Sequence, residues 1–378
     1  MTANILGYQA GNLVYTAITR PQINRDDRML WIHAGPHKAA SSYVTERLRQ
    51  NRENLAAQGV MMDSNNNHLA EAIAKKNYEA INEALATLPP SLNRVLLSSS
   101  ALDDLILSRT VLQRLQTLTE RQGFKLGVSY FVRDQQSWLN SFYAHNVRRF
   151  REIDDFDQFC MYTMQNKEET ISQSRGRGSE SWNIAYPSKF RVLSRFPSIT
   201  TLFLPLCKQV AITDPFLALV DAIDLDTPAG EQGWLAGHPS KQNIQPGARG
   251  IWMSALCRRL MVEMGFDPKV LKRKGKVIRD IAVERGWDRD RFNGFDQPLQ
   301  DRVSDFYASS NEDFAREHWG VSWQSLFPER PATQRVYLGP ETEAERKDMR
   351  ALMVRVLQEL RFPWRLRRRF FFLYDAAI

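Results

Sequence analysis

A chain of 378 residues with ordinary globular composition is long enough to bury a large core, as one large α/β domain or one domain with an accessory piece. Its formal net charge of +8 suits a bis-phosphorylated nucleotide, an anionic glycan or a membrane surface alike, and with no zinc-finger spacing or RNA-binding motif a nucleic-acid partner is set aside. No apolar run approaches the roughly 18–20 residues that span a bilayer, and Met1-Thr2-Ala3-Asn4 shows no basic region ahead of a hydrophobic stretch. Cys160, Cys207 and Cys257 are widely spaced and read as reduced core residues, so a cytoplasmic protein is expected.

The first 27 residues read as a mixed lead, in which residues 12–19 can add a strand or lie across the surface. From Arg28 short apolar runs alternate with helical stretches: a strand at 29–34, a helix from Ser41 to about Gln58, a strand at 95–98, a helix over 102–122 and a strand ending at Arg133. That alternation predicts an α/β fold, a central parallel sheet flanked by helices, with ligands at the strands' C-terminal edge. Arg175, Gly176, Arg177, Gly178 and Glu180 mark a polar insertion, read as a solvated surface loop, a lid or an acceptor-binding loop. A glycine- and proline-rich connector over 227–250 precedes helical character at 251–264. The expected division is a lead (1–27), an α/β domain (28–328) and a helical, basic and aromatic extension (329–378).

At the first strand's end, a loop of Gly35, Pro36, His37, Lys38, Ala39 and Ala40 leads into a helix that opens with Ser41 and Ser42. A helix N-terminus offers unpaired N–H groups and partial positive charge, so this junction is suited to a phosphate or sulfate. The dipole disfavours a lysine there unless an anion is near. The triphosphate loop G-x-x-x-x-G-K-[ST] does not fit, because only Pro36 and His37 separate Gly35 from Lys38, which argues against a nucleotide kinase. A second apolar strand ends at Arg133 and Asp134, and Ser141 follows in the next helix. An arginine at a strand end and a serine in the next helix can converge on one phosphate, the arginine with a fork of donors.

The first junction resembles the 5′-phosphosulfate loop of sulfotransferases, which in bacterial members commonly reads H-x-G-x-x-K-T-G-[ST]-[ST]. The second resembles that family's 3′-phosphate element, roughly V-R-[DN]-P-x-x-x-x-x-S-x-Y, matched at Arg133, Ser141 and Tyr143. Segments 200–206, 214–223 and 309–320 are similar to later elements of the family, so the resemblance runs from about Arg28 to Phe327. It implies a P-loop-like fold and a sulfotransferase moving a sulfuryl group from 3′-phosphoadenosine 5′-phosphosulfate (PAPS) to an acceptor hydroxyl, on a carbohydrate or another small molecule, with release of 3′-phosphoadenosine 5′-phosphate (PAP). It also implies that Lys38, Ala39, Ala40, Ser41 and Ser42 hold the donor's 5′ end and that Arg133 and Ser141 hold its 3′-phosphate. Lys38 would act in catalysis too, following the bridging oxygen as charge develops; no metal is called for.

The chain departs from this pattern in two places. Ala39 and Ala40 stand where relatives usually carry threonine and glycine, and alanine at a left-handed position costs roughly 1–2 kcal/mol. Ser100 stands where many bacterial members carry a glutamate. The acceptor's proton then needs another base, for which His68 is the first candidate, His37 the second, and Asp103 and Asp104 more distant ones. These departures keep an alternative in view: a non-catalytic nucleotide-binding or scaffold protein on the sulfotransferase fold. Finally, residues 361–374 mix arginines with aromatics, which suits docking on an anionic membrane surface or packing on the domain or on a second copy of the chain in a homo-oligomer.

Overall fold

The computed structural model describes residues 26–62, 68–89, 92–151, 155–165, 184–228, 233–236, 245–267, 271, 275–329, 331, 334–335 and 337–377. The residues expected to form the lead, apart from Asp26 and Asp27, and the polar insertion at 175–180 lie outside this set. Two compact units are present: Met1–Gln135, Thr163–Pro239 and Asp305–Glu329 form the first, and Gln136–Tyr162, Ser240–Ser304 and Arg330–Ile378 the second. Residues from 330 onward, expected as an extension, thus share a unit with two segments expected inside the α/β domain.

The first unit is the predicted α/β fold. Five parallel strands stand in the order β2-β3-β1-β4-β5: β1 (Met29–Gly35), β2 (Val60–Met62), β3 (Arg94–Ser98), β4 (Lys125–Val132) and β5 (Thr200–Pro205). Every residue of β1 is buried, as the central strand of a parallel sheet covered on both faces requires. Alternate residues divide between two cores. Leu30, Ile32 and Ala34 pack with α3 (His68–Ala74), α4 (Tyr78–Ala86) and, beyond α5 (Asp103–Ile106), α6 (Arg109–Arg121). Met29 and Trp31 pack with α1 (Ser41–Gln50), α2 (Arg52–Ala56) and Phe216 and Leu219 of the helix Pro215–Ala222. A Cβ on Gly127 of β4 would run into the indole of Trp31 beside it, so glycine there makes room for the largest side chain of the face.

Two expected helices are divided. The first breaks at Asn51, whose buried amide donates to the carbonyls of Arg47 (2.9 Å) and Leu235 (3.1 Å). The second becomes a 3₁₀ turn (Ser100–Leu102), α5 and α6.

In the second unit, the helices Gly247–Glu263, Lys276–Glu284, Glu343–Glu359 and Trp364–Ala377 surround an apolar core that includes Met253, Leu260, Ile278, Met353, Val356 and Phe370. Thr342 opens Glu343–Glu359 with a reciprocal cap, its hydroxyl accepting from the Glu345 N–H while the Glu345 carboxylate accepts from the Thr342 N–H. Another aromatic group gathers on α7 (Gln135–Val147) and α8 (Phe156–Gln165), where Tyr143 stacks on Phe292 (5.4 Å) and meets Phe156 edge-on (5.1 Å). Among the described residues no helix is long and apolar enough to cross a membrane.

Candidate functional site

The strand order fixes where the sheet can hold a ligand. From β1 the chain runs to the β2–β3 side, and from β4 it runs outward to β5, so the connections leaving adjacent β1 and β4 diverge. Such a switch point opens a crevice at the C-terminal edge of a parallel sheet. The loop 36–40 leaves β1 there and Arg133 directly follows β4.

The loop is wound tightly. The β1–β4 register slips between His33 and Gly35, Gly35 has φ +125°, and Lys38 and Ala40 both occupy the left-handed region, at φ 67° and 60°. Left-handed alanine and lysine each cost about 1–2 kcal/mol, so surrounding contacts must hold the turn. The Ala39 N–H donates to the Pro36 carbonyl (3.2 Å), and the Ser41 hydroxyl donates to the same oxygen (3.1 Å). Ser41 therefore uses its side chain to close the loop, while Ser42 stays exposed. Ala40 caps α1 without a side-chain acceptor, and Arg47, one of two arginines on α1, is buried and paired with Asp214 at 2.9 Å, which fixes the helix.

Arg133 and Lys38 are brought together: the Arg133 guanidinium donates to the Lys38 carbonyl at 2.9 Å. Arg133 is itself clamped, since the Tyr186 hydroxyl donates to its carbonyl and accepts from its N–H (3.2 Å). Ser141 falls on α7 in the second unit, and Tyr143, matched in the same element, is a buried member of the aromatic group described above.

Beneath the loop lies a buried ion pair. Asp103 sits 3.1 Å from the Lys189 ammonium and also accepts from the His37 backbone N–H. Burial pushes the Asp103 carboxyl above the ordinary carboxylate range, against the pull of Lys189. Burial also works against the Lys189 charge, but Asp103 and Asp104 outweigh it and hold the ammonium above its usual value. Asp103 is thus an anchor under the loop. His37 offers its half-exposed side chain above it, and His68 is the exposed first residue of α3. Asn65, Asn66 and Asn67 before it lie outside the described residues.

A cleft of about 240 Å³ opens beside the loop. Ser41, Ser42 and Thr45 line it from α1, and Ser98, Ser99 and Ser100 from the end of β3. Glu46 and Arg49, paired at 2.6 Å, also face it. His68 is not among its lining residues. From the cleft a row of polar groups runs into the sheet: Thr45 Oγ1 meets Ser98 Oγ (2.8 Å), and Ser98 Oγ meets His33 Nδ1 (2.8 Å). In the pairing register Ser98, His33 and Ser129 stand side by side on β3, β1 and β4. His33 Nε2 and Ser129 Oγ are buried without a hydrogen-bond partner among the described residues. Burial lowers the His33 pKa to about 4, so the ring is neutral near pH 7.

Sequence reasoning placed the loop and Arg133 but missed His33, Ser98, Tyr186, Glu46 and the Asp103–Lys189 pair. The available signal was a polar residue inside each of two apolar strand runs, at 33 and 129, and a serine closing a third, at 98. Among the described residues no three His, Cys, Asp or Glu side chains gather as a metal site. No protein-family model, curated protein or solved structure matches the chain.

Proposed function

We propose that the chain is a sulfotransferase that takes PAPS as donor and a hydroxyl-bearing acceptor, of carbohydrate or other small-molecule type. One observation carries the reading: the Arg133 guanidinium rests on the Lys38 carbonyl, so the two anion-binding elements read in the sequence meet at the sheet's switch point. The donor set also fits a nucleotide with phosphate at both ends. The uncapped start of α1 and the loop around Lys38 offer backbone N–H groups and an ammonium for the 5′ end, and Arg133 offers a guanidinium fork for the 3′-phosphate.

PAPS supplies an activated sulfuryl group whose bond to the 5′-phosphate oxygen breaks as the acceptor oxygen bonds to sulfur. Lys38 holds the leaving oxygen and neutralises its growing charge. The hydroxyl-lined cleft beside α1 receives the acceptor and sets it in line. The acceptor's proton passes to a base for which Glu46 is the candidate facing the cleft, whereas His68 and His37, expected for this role, do not line it. A nucleotide donor and three free cysteines fit a cytoplasmic setting.

Calorimetric titration with PAP, with ATP as control, tests this. Selective PAP binding weakened at least tenfold in both Lys38→Ala and Arg133→Ala is expected; a folded wild-type chain that binds no PAP overturns the reading. Two observations favour the second reading, nucleotide binding without transfer: Ala40 holds φ 60°, and Ser100 lines the cleft at the position where many bacterial sulfotransferases carry a glutamate. PAP binding without sulfuryl transfer to any of a panel of hydroxyl acceptors would select it.

A further inference from the structure

The helix Trp364–Ala377 has two unlike faces. Inward, Phe370 and Tyr374 are fully buried and Leu366, Phe371 and Leu373 pack against the same core. Outward, Trp364 and Phe372 are each 74% exposed, and Arg365, Arg368 and Arg369 are exposed beside them. At about 100° per residue these five side chains fall within an arc of roughly 140°. Asp375 shares the arc, but Arg350 binds its carboxylate through two hydrogen bonds of 3.1 Å, which leaves the arginines to set the sign of the face.

We propose that this face docks on the surface of an anionic lipid bilayer. Two large aromatic side chains held in water by a helix that is anchored on its other side are unexplained by packing within the chain. A tryptophan ring and a phenylalanine set among arginines match the interfacial zone of a bilayer, where the rings enter the headgroup boundary and the guanidinium groups meet lipid phosphates. Each arginine near such a surface adds about fivefold in affinity. The helix, with 14 residues and arginines at 365, 367, 368 and 369, lies along the surface rather than across it.

The geometry disfavours the other occupants. Trp364 and Phe372 are about 12 Å apart along the helix axis, against about 3.4 Å between successive bases, so they form no stacking platform for nucleic acid. A second copy of the chain would set this arginine-rich face against itself across a two-fold axis.

The test is co-sedimentation of the full chain with vesicles of phosphatidylcholine alone and of an equimolar mixture with phosphatidylglycerol. Binding to the anionic vesicles only, weakening as salt is raised, is expected. Trp364→Ala with Phe372→Ala should lower it at least tenfold, and replacement of Arg365, Arg368 and Arg369 by glutamine about a hundredfold. Circular dichroism should show the folded state unchanged, since all five side chains point outward. No binding by the wild-type chain, equal binding to neutral vesicles, or binding unaffected by either set of substitutions would overturn the proposal. So would a dimer in sedimentation that the aromatic double substitution dissolves, or tighter binding to an oligonucleotide than to the anionic vesicles.

Discussion

Among the described residues the buried histidine, arginine and aspartate side chains are His33, Arg47, Arg94 and Asp103, and all four belong to the first unit. In the second unit the buried polar side chains, such as Asn146, Ser254 and Gln300, are uncharged, while several of its arginines pair at the surface, as Arg350 does with Asp375 and Arg355 with Glu284. Burying an ionisable group costs several kcal/mol unless partners compensate, and exposing one costs almost nothing. The first unit bears part of that cost beside one loop and one cleft, where fixed geometry has a use, and part at the far end of β3, where Arg94 donates to the carbonyls of Ile223 and Asp224. The second keeps its charges where they can meet something outside.

The sharpest way to break this contrast is to remove one partner from an ion pair in each unit. Lys189→Met strands Asp103 beneath the loop and should cost about 3–5 kcal/mol in urea unfolding. Arg350→Gln, between half-exposed partners, should cost no more than about 1 kcal/mol. Equal losses would mean that the buried pair is not the loop's support.

Acidity sharpens the comparison further, because the two buried groups of the first unit pull in opposite directions. The His33 pKa is lowered from 6.5 to about 4, so the unfolded chain takes up its proton first and stability falls as pH drops through that window, by on the order of 3 kcal/mol. Asp103 is raised from 3.8, so its contribution is fully present below about pH 4 and is lost as pH rises through its folded value. The wild-type chain should therefore change little across this range. His33→Gln should leave a stability that falls with rising pH, and Asp103→Asn one that rises. Identical profiles for the two variants would show that neither group titrates as its burial dictates.

The smallest effect expected is that of Ala40→Gly. It removes a Cβ from a left-handed position and should raise the unfolding free energy by up to about 1 kcal/mol. Should the loop hold the donor, PAP affinity rises several-fold with it.

The central strands were legible because full burial leaves its mark on composition: Met29–Gly35 and Lys125–Val132 are almost continuous apolar runs, expected within a residue of where they lie. The break at Asn51 was not, because the partner that fixes its amide, Leu235, lies 184 positions away. The same holds at the site. Lys38 and Arg133 carry local signatures, whereas Lys189 finds Asp103 across 86 positions, and His33, Ser98 and Ser129 become one row only once three strands have chosen their register. In the arginine and aromatic helix the sequence showed the residue types, but which aromatics pack and which face water is decided by the phase in which Phe370 and Tyr374 settle into the core.

The indole of Trp31 lies over Gly127, and the two residues constrain each other's history. Any descendant or ancestor of this chain that carries a side chain at position 127 must have surrendered the tryptophan at 31, and one that keeps the tryptophan must keep the glycine. The two positions are expected to change in concert, as a joint substitution on neighbouring strands, even where every motif around the loop has drifted beyond recognition.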